Sequence, residues 1–357
     1  MKLAIISVTN KGARLAEKLA NALGHPADVY AKACRNPQGF PQVYECLRDL
    51  VDKVFHRYDG LIFIMATGIV VRVLAPHIHD KRFDPAVVVV DEAGEYAISL
   101  LSGHIGGAND LAREVASTIG ARPVITTATD VANLPAADVL AVKLDLTIEP
   151  FEQLKHINAA IVNGEQVAFF IDQDLANASH YIHLAAEMGV VLRNMGELVH
   201  TDNYDAAVVI TDKELYMVKP HVYLRPATLA VGIGCRRGTP SAEILTALGD
   251  ACRKIGRSMK SIAVIASSVV KQDEVGLLAA VQQLEVPYEF FTNEQLQQCI
   301  ENHGLAISKF VEEKIGVGNV CEPAALCGGQ TQTLLLPKTV YPNVTVAIAE
   351  VKYRWWE

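Results

Sequence analysis

ISLLSGHIGGAND, Ile98 to Asp110, changes character twice within thirteen residues. It begins as an apolar run, breaks at Ser102-Gly103, and resumes as a helix in which Ala108, Leu111, Ala112, Val115, Ala116 and Ile119 share one face. A strand, a glycine-rich turn and a helix in direct succession are the repeating unit of α/β proteins. The stretch therefore predicts the fold class and raises a second question: whether the turn, with its serine, histidine and asparagine, is also a site.

Outward from this segment the alternation recurs. Upstream, Lys2 to Thr9 is a strand, and Asn10 caps a helix carrying Leu15, Leu19 and Leu23 at a spacing of four. A helix around Val43 to Phe55 follows, then the strand LIFIMAT, a turn at Thr67-Gly68, the helical IVVRVLAPHI, and the strands AVVVVDE and YAISLL. ARPVITT is the next strand downstream. From Pro135 to Pro226 the signal thins to the strands QVAFFID and AAVVIT, and the two prolines of VKPHVYLRPAT mark a connection. A second alternation follows: TLAVGI, a helix with Ile244, Leu248, Ala251 and Cys252 inward, SIAVIAS, a helix capped by Asp273, YEFFT, and a capping box of Thr292 with Gln295. LLLP and VTVAIAEV close that sheet. The expected architecture is α/β: two Rossmann-like domains with mostly parallel sheets covered by helices, residues 1–134 and 227–357, joined by a smaller α/β region at 135–226.

The 357 residues suffice for several cores without a disulfide or metal staple. A formal net charge of −8 argues against a nucleic-acid-coating protein, yet strand-to-helix turns still offer local sites for anions. MKLAIISVTNKG reaches a turn too early for a signal peptide, no apolar run spans a bilayer, and seven scattered cysteines suit a reducing compartment. A cytoplasmic protein with no membrane contact is expected.

Four motifs carry candidate chemistry. The first is Ser102, Gly103, His104, Gly106, Gly107 and Asn109. It follows a strand, and ligands of open α/β sheets bind outside carboxyl strand ends. The plainer alternative is a turn shaped by its glycines, with Asp110 paired to Arg113. The second is VGIGCRRGTPSAE, whose glycines at 232, 234 and 238 are spaced one residue too far apart for a dinucleotide fingerprint. Arg236 and Arg237 instead form a carboxylate clamp before a helix capped by Thr239 and opened by Pro240, unless both are simply solvated. The third is PHIHDKRFDPAVVVVDE, where His77, His79, Asp80 and Asp84 lack a metal-site spacing and Asp91-Glu92 end a buried strand. The fourth is VCEPAALCGG, where Glu322 at a helix cap either meets a ligand or serves the helix dipole. Its Cys321 and Cys327 read as ordinary thiols.

Taken in order, MATGIVVRVLAP, DKRFDPAVVVVDE, LLSGHIGGAND and PVITTATD resemble the amino-terminal part of the cobalt-precorrin-5A hydrolase (CbiG) family. VGIGCRRGT, KQDEVGLLAA and VCEPAAL resemble its carboxy-terminal domain, which is shared with the CobE proteins; the terminal YRWWE has no counterpart. The resemblance implies a hydrolase of anaerobic cobalamin biosynthesis. It opens the δ-lactone of cobalt-precorrin-5A and releases acetaldehyde to give cobalt-precorrin-5B. The partner is then an anionic cobalt-containing tetrapyrrole, and the cobalt belongs to the substrate, with no protein cofactor or metal site. On this reading His104 is the general base, and the N–H groups near Gly106 and Gly107 form the oxyanion hole. Asp91, Glu92 or Glu322 takes the later proton. Thr67, Gly68, Ser102, Gly103, Asn109, Arg236 and Arg237 hold the substrate. A homodimer and transient contacts with other cobalamin-pathway enzymes are compatible with this. The rival is a non-catalytic corrinoid carrier.

Overall fold

The computed structural model describes residues 1–132, 134–199 and 202–352; the YRWWE stretch lies outside them. The chain forms two compact units, Met1–Val142 and the part from Lys143 onward. The architecture is α/β, with mostly parallel sheets between helices.

The first unit runs β1 (Leu3–Ser7), α1 (Asn10–Ala22), β2 (Ala27–Lys32), β3 (Gln42–Tyr44), α2 (Leu47–Val54), β4 (Gly60–Ile64), α3 (Thr67–Leu74), β5 (Ala86–Val90), β6 (Tyr96–Leu101), α4 (Ala108–Ile119), β7 (Arg122–Val124), α5 (Ala128–Val131) and α6 (Ala137–Lys143). The strands lie in the order β3-β2-β1-β4-β5-β6-β7. β1 through β5 are mutually parallel, β6 runs antiparallel to β5, and β7 is parallel to β6. Strands buried on both faces explain the near-continuous runs LAIIS, GLIFI and AVVVV. Ala16 and Leu19 of α1 and Leu111, Ala112 and Val115 of α4 seal one face. Leu50 and Val51 of α2 and Val70, Val73 and Leu74 of α3 seal the other. The chain reverses direction across the sheet between β1 and β4, which makes that the topological switch point.

The second unit holds two sheets. β8 (Thr147–Glu149), α7 (Leu154–Val162), β9 (Val167–Ile171), α8 (Ala178–Glu187), β10 (Leu192–Asn194), β11 (Ala206–Ile210) and β12 (His221–Arg225) build the first, in the order β10-β9-β11-β12-β8. β12 corrects an expectation: VKPHVYLRPAT contains a strand. Pro220 and Pro226 flank it, outside the ladder that neither could donate to, and leave His221–Arg225 free to pair with β11 and β8. The second sheet comprises β13 (Leu229–Cys235), α9 (Ser241–Lys254), β14 (Ile262–Ser268), α10 (Val275–Leu284), β15 (Tyr288–Phe291), α11 (Asn293–His303), α12 (Lys309–Ile315), α13 (Cys321–Gly329), β16 (Leu334–Val340) and β17 (Val344–Glu350), with strand order β15-β14-β13-β17-β16. Polar contacts brace the edge of the first sheet and join it to the second. The Arg225 guanidinium donates to Glu149 at 2.7 Å, and Glu149 also accepts the Ser258 hydroxyl at 2.8 Å. Asp212 accepts from Arg257 and from the Thr228 hydroxyl.

Local signals mostly held. The Thr292–Gln295 capping box is present. Thr9, not Asn10, caps α1 by accepting the Gly12 N–H at 3.0 Å. Thr239 does not cap α9, because its hydroxyl donates to the Arg236 carbonyl and Pro240 occupies the cap. Glu274 rather than Asp273 precedes α10, without a side-chain cap bond. Gly232 has a reason unrelated to nucleotides: a Cβ there would lie 1.8 Å from the Cys321 carbonyl oxygen. Only glycine lets α13 rest its backbone directly on β13, which brings the start of α13 beside the turn that carries Arg236.

Candidate functional site

Ser102 opens the turn with φ 57°, and its buried hydroxyl donates to the Asp84 carbonyl at 2.9 Å. That bond makes Ser102 a structural anchor and leaves it unpaired with His104. Gly106 is required, since a Cβ there would meet Ser102 Cβ at 2.4 Å. The Gly107 N–H donates to the His104 carbonyl, the Ala108 N–H to Ser102 and the Asn109 N–H to Gly103. These bonds close the turn and use the Gly107 donor expected to stabilise an oxyanion.

The turn presents His104 to two aspartates from further along the chain. Nε2 lies 2.6 Å from Asp130 and Nδ1 lies 3.1 Å from Asp138. Asn109 donates to Asp130 and to Thr127, both at 2.9 Å, and accepts from Ser99 at 2.7 Å. Thr127 and Arg113 also donate to Asp130, and Arg113 holds Asp110 at 2.8 Å. Both imidazole nitrogens therefore face carboxylates, an arrangement that favours the doubly protonated ring. Burial works against that charge, but Asp138 and Asp130 outweigh it and hold the His104 pKa above its ordinary value. In that form the ring has no lone pair to accept a proton, so the general-base role expected of His104 requires the neutral ring. Sequence reasoning missed Asp130 and Asp138. Asp130 ends PVITTATD, but no local spacing ties either residue to His104.

Burial also works to raise the Asp130 pKa, yet Thr127, His104 and Arg113 together bring it down to about 2. A depressed carboxylate stabilises the fold above its unfolded value, ~4, and that contribution disappears as pH falls toward the folded value. The raised His104 pKa acts in the opposite sense: its contribution is present below ~6.5 and is lost as pH rises through the folded value. The melting temperature should fall steeply between pH ~4 and ~2. Asp130→Asn should flatten that slope while lowering stability at neutral pH. A variant as acid-sensitive as the parent would show that Asp130 is not the titrating group.

Asp91 and Glu92, expected to take the later proton, lie away from His104, as do Thr67 and Gly68. Because β6 is antiparallel to β5, Leu101 pairs with Val87 near the start of β5. The turn after β6 thus lies at the amino edge of the five parallel strands. Thr67, Gly68, Asp91 and Glu92 lie at their carboxyl edge, a strand length of roughly 15 Å away. Asp91 shapes the β5–β6 hairpin, its carboxylate accepting the N–H groups of Ala93, Glu95 and Tyr96. Glu92 is exposed in the same hairpin. Thr67 and Gly68 form the first turn of α3 beside the switch point. Asp84 accepts the His79 N–H and Asp80 holds Arg82, so the loop between α3 and β5 is locked by its own polar groups.

The second unit carries a separate feature. A cleft of about 670 Å³ opens at the carboxyl ends of β13 and β14, with Arg236, Arg237, Lys271 and Lys338 among its lining residues. Ser268, Asn343 and Thr345 add hydrogen-bonding groups, and Val311, Ile315, Val320 and Val340 add an apolar wall. Arg236 and Arg237 thus share a concave site, as a carboxylate clamp requires; Lys271 and Lys338 were not foreseen. Glu322 is not the helix cap, a position held by Val320, but lies in the first turn of α13. Its carboxylate is buried and engaged, accepting from Asn319 at 2.5 Å and from the Lys338 N–H at 3.0 Å.

Family models cover most of the chain in order: cobalamin synthesis G N-terminal at residues 49–130, cobalamin biosynthesis central region at 135–226, and cobalamin synthesis G C-terminus at 229–349. A cobalt-precorrin-5A hydrolase of Priestia megaterium is 33% identical, with 98% of this chain and 95% of the relative aligned. A protein of the same name from Salmonella typhimurium is 35% identical over 93% of each chain. Protein CobE of a Sinorhizobium species is 33% identical over 125 residues, 34% of this chain and 80% of its own. Since the similarity runs through both units from end to end, the chain belongs to the cobalt-precorrin-5A hydrolase family.

Proposed function

We propose that this protein is a cobalt-precorrin-5A hydrolase of anaerobic cobalamin biosynthesis. The observation that carries the reading is the near full-length similarity to two relatives of that name. The substrate is a cobalt-containing macrocycle fringed with carboxylates, and the metal arrives with it. Water adds to the lactone carbonyl, both its protons pass to solvent, and the ring C–O bond breaks. For this the His104 imidazolium must release one of its two aspartate contacts, and it then gives that nitrogen's proton to the departing oxygen, leaving a carboxylate and a free hydroxyl. The ring, now neutral, takes the hydroxyl proton back as the adjacent C–C bond breaks. The two-carbon unit leaves as acetaldehyde, and the electron pair passes to the macrocycle. One residue thus serves as acid and then as base, and its proton count closes. Asp138 and Asp130 orient the ring and set its charge. A cytoplasmic location, assembly as a homodimer and transient contact with neighbouring pathway enzymes belong to the same proposal.

A second reading, corrinoid carriage without chemistry, draws on the similarity of the carboxy-terminal segment to Protein CobE. Incubation with cobalt-precorrin-5A under anaerobic conditions separates the two. Stoichiometric acetaldehyde is the expected result; tight corrinoid binding without acetaldehyde would favour the carrier.

A further inference from the structure

We infer that Arg236 and Lys338 bind two peripheral carboxylates of the macrocycle in the cleft of the second unit, with Glu322 as the positioning residue for Lys338. This rests on the corrinoid reading of the substrate. Of the four cations that line the cleft, two face an acid. Arg237 lies 3.3 Å from Asp273 and Lys271 lies 3.8 Å from Glu274. Among the described residues, Arg236 is held only by Asn343, whose amide oxygen accepts from it at 3.3 Å, and the Lys338 ammonium meets no carboxylate. Two unneutralised cations beside an apolar wall match a ligand that is flat and greasy at its centre and anionic at its rim.

The backbone explains why Lys338 lines the cleft. The register of β16 on β17 shifts between Leu336 and Thr339, so three residues on one strand span two on the other. Pro337 has no N–H, and the Lys338 N–H leaves the ladder for Glu322. A bulge of this kind re-aims the side chain it carries. Glu322 is itself fixed by Asn319, which also donates to the Ala306 carbonyl at 3.0 Å. With its oxygens engaged in this way, the carboxylate holds the bulge in place and is not poised as a base.

The test uses the full chain, with two probes followed by visible absorbance: a cobalt corrinoid with free peripheral carboxylates, and the same corrinoid with those groups methyl-esterified. The acid form should bind the parent and the ester should bind poorly. Arg236→Ala and Lys338→Ala should each weaken binding of the acid form roughly 10- to 100-fold and flatten its salt dependence. Lys338→Arg should recover most of the loss, and Lys338→Gln, which keeps the stem, serves if the alanine variant does not fold. Glu322→Gln should raise KM and leave kcat near the parent value. Equal affinity of acid and ester, or parent-like affinity in both cation variants, would overturn the inference. Acetaldehyde release by the parent is scored separately. Binding that depends on both cations without acetaldehyde upholds the site and sinks the hydrolase reading, whereas acetaldehyde with cation-independent binding does the reverse.

Discussion

His104→Ala is expected to slow acetaldehyde release by roughly 10²–10⁴, the usual share of a positioned proton donor or acceptor. Affinity for the corrinoid should change little, because the inferred carboxylate contacts belong to the second unit. The direction of the pH dependence is the sharper test. Asp138 and Asp130 hold His104 protonated above the ordinary imidazole range. An acid in the first step is active while charged, so kcat/KM should fall as pH rises through the raised pKa. A general base would lose activity in the other direction, as pH falls. Asp138→Asn removes one of the two carboxylates, so the descending limb should move to lower pH while the fold persists. Single-turnover release across a pH series measures the parent and both variants. An alanine variant as fast as the parent, or a limb that rises with pH, would show that the imidazolium is only a clamp between Asp130 and Asp138.

Gly232→Ala should unfold or severely weaken the second unit. The added Cβ would lie 1.8 Å from the Cys321 carbonyl oxygen and 2.6 Å from the Ala325 nitrogen. Overpacking usually costs ~1–3 kcal/mol because side chains rotate away. Here both obstacles are backbone, and relief requires lifting α13 off β13, where Ala325 and Leu326 pack with Ala230 and Ala347. A loss above ~4 kcal/mol is therefore expected, read as a fall in the urea midpoint or in soluble yield. Gly24→Ala is the control, since nothing lies within 4 Å of its Cβ position. If both variants unfold at the parent midpoint, α13 does not rest on β13 in this way.

Much of the architecture was legible along the chain. The buried runs GLIFI and AVVVV, the helical face from Ala108 to Ile119 and the Thr292–Gln295 box are local patterns over four to twelve residues, and each fold element they imply is present. The placement of Arg236 and Arg237 was legible because they follow a strand directly, and both line a cleft, although Arg237 faces Asp273 there. The identity of the turn at Ser102–Asn109 was legible too, but its surroundings were not. Period and composition identify a strand without giving its direction, and the reversal of β6 against β5 moved His104 to the edge opposite Asp91 and Thr67. The partners that set its charge come from 26 and 34 residues further on, where no local spacing ties a carboxylate to an imidazole. The same holds for Lys338, aimed by a bulge and by a glutamate sixteen residues earlier. Local steric and hydrophobic preferences determine which residues become strand, turn or helix. Strand direction, the protonation state of His104 and the aim of Lys338 depend on which distant groups the packed sheets bring within hydrogen-bond reach, and only the tertiary structure decided those.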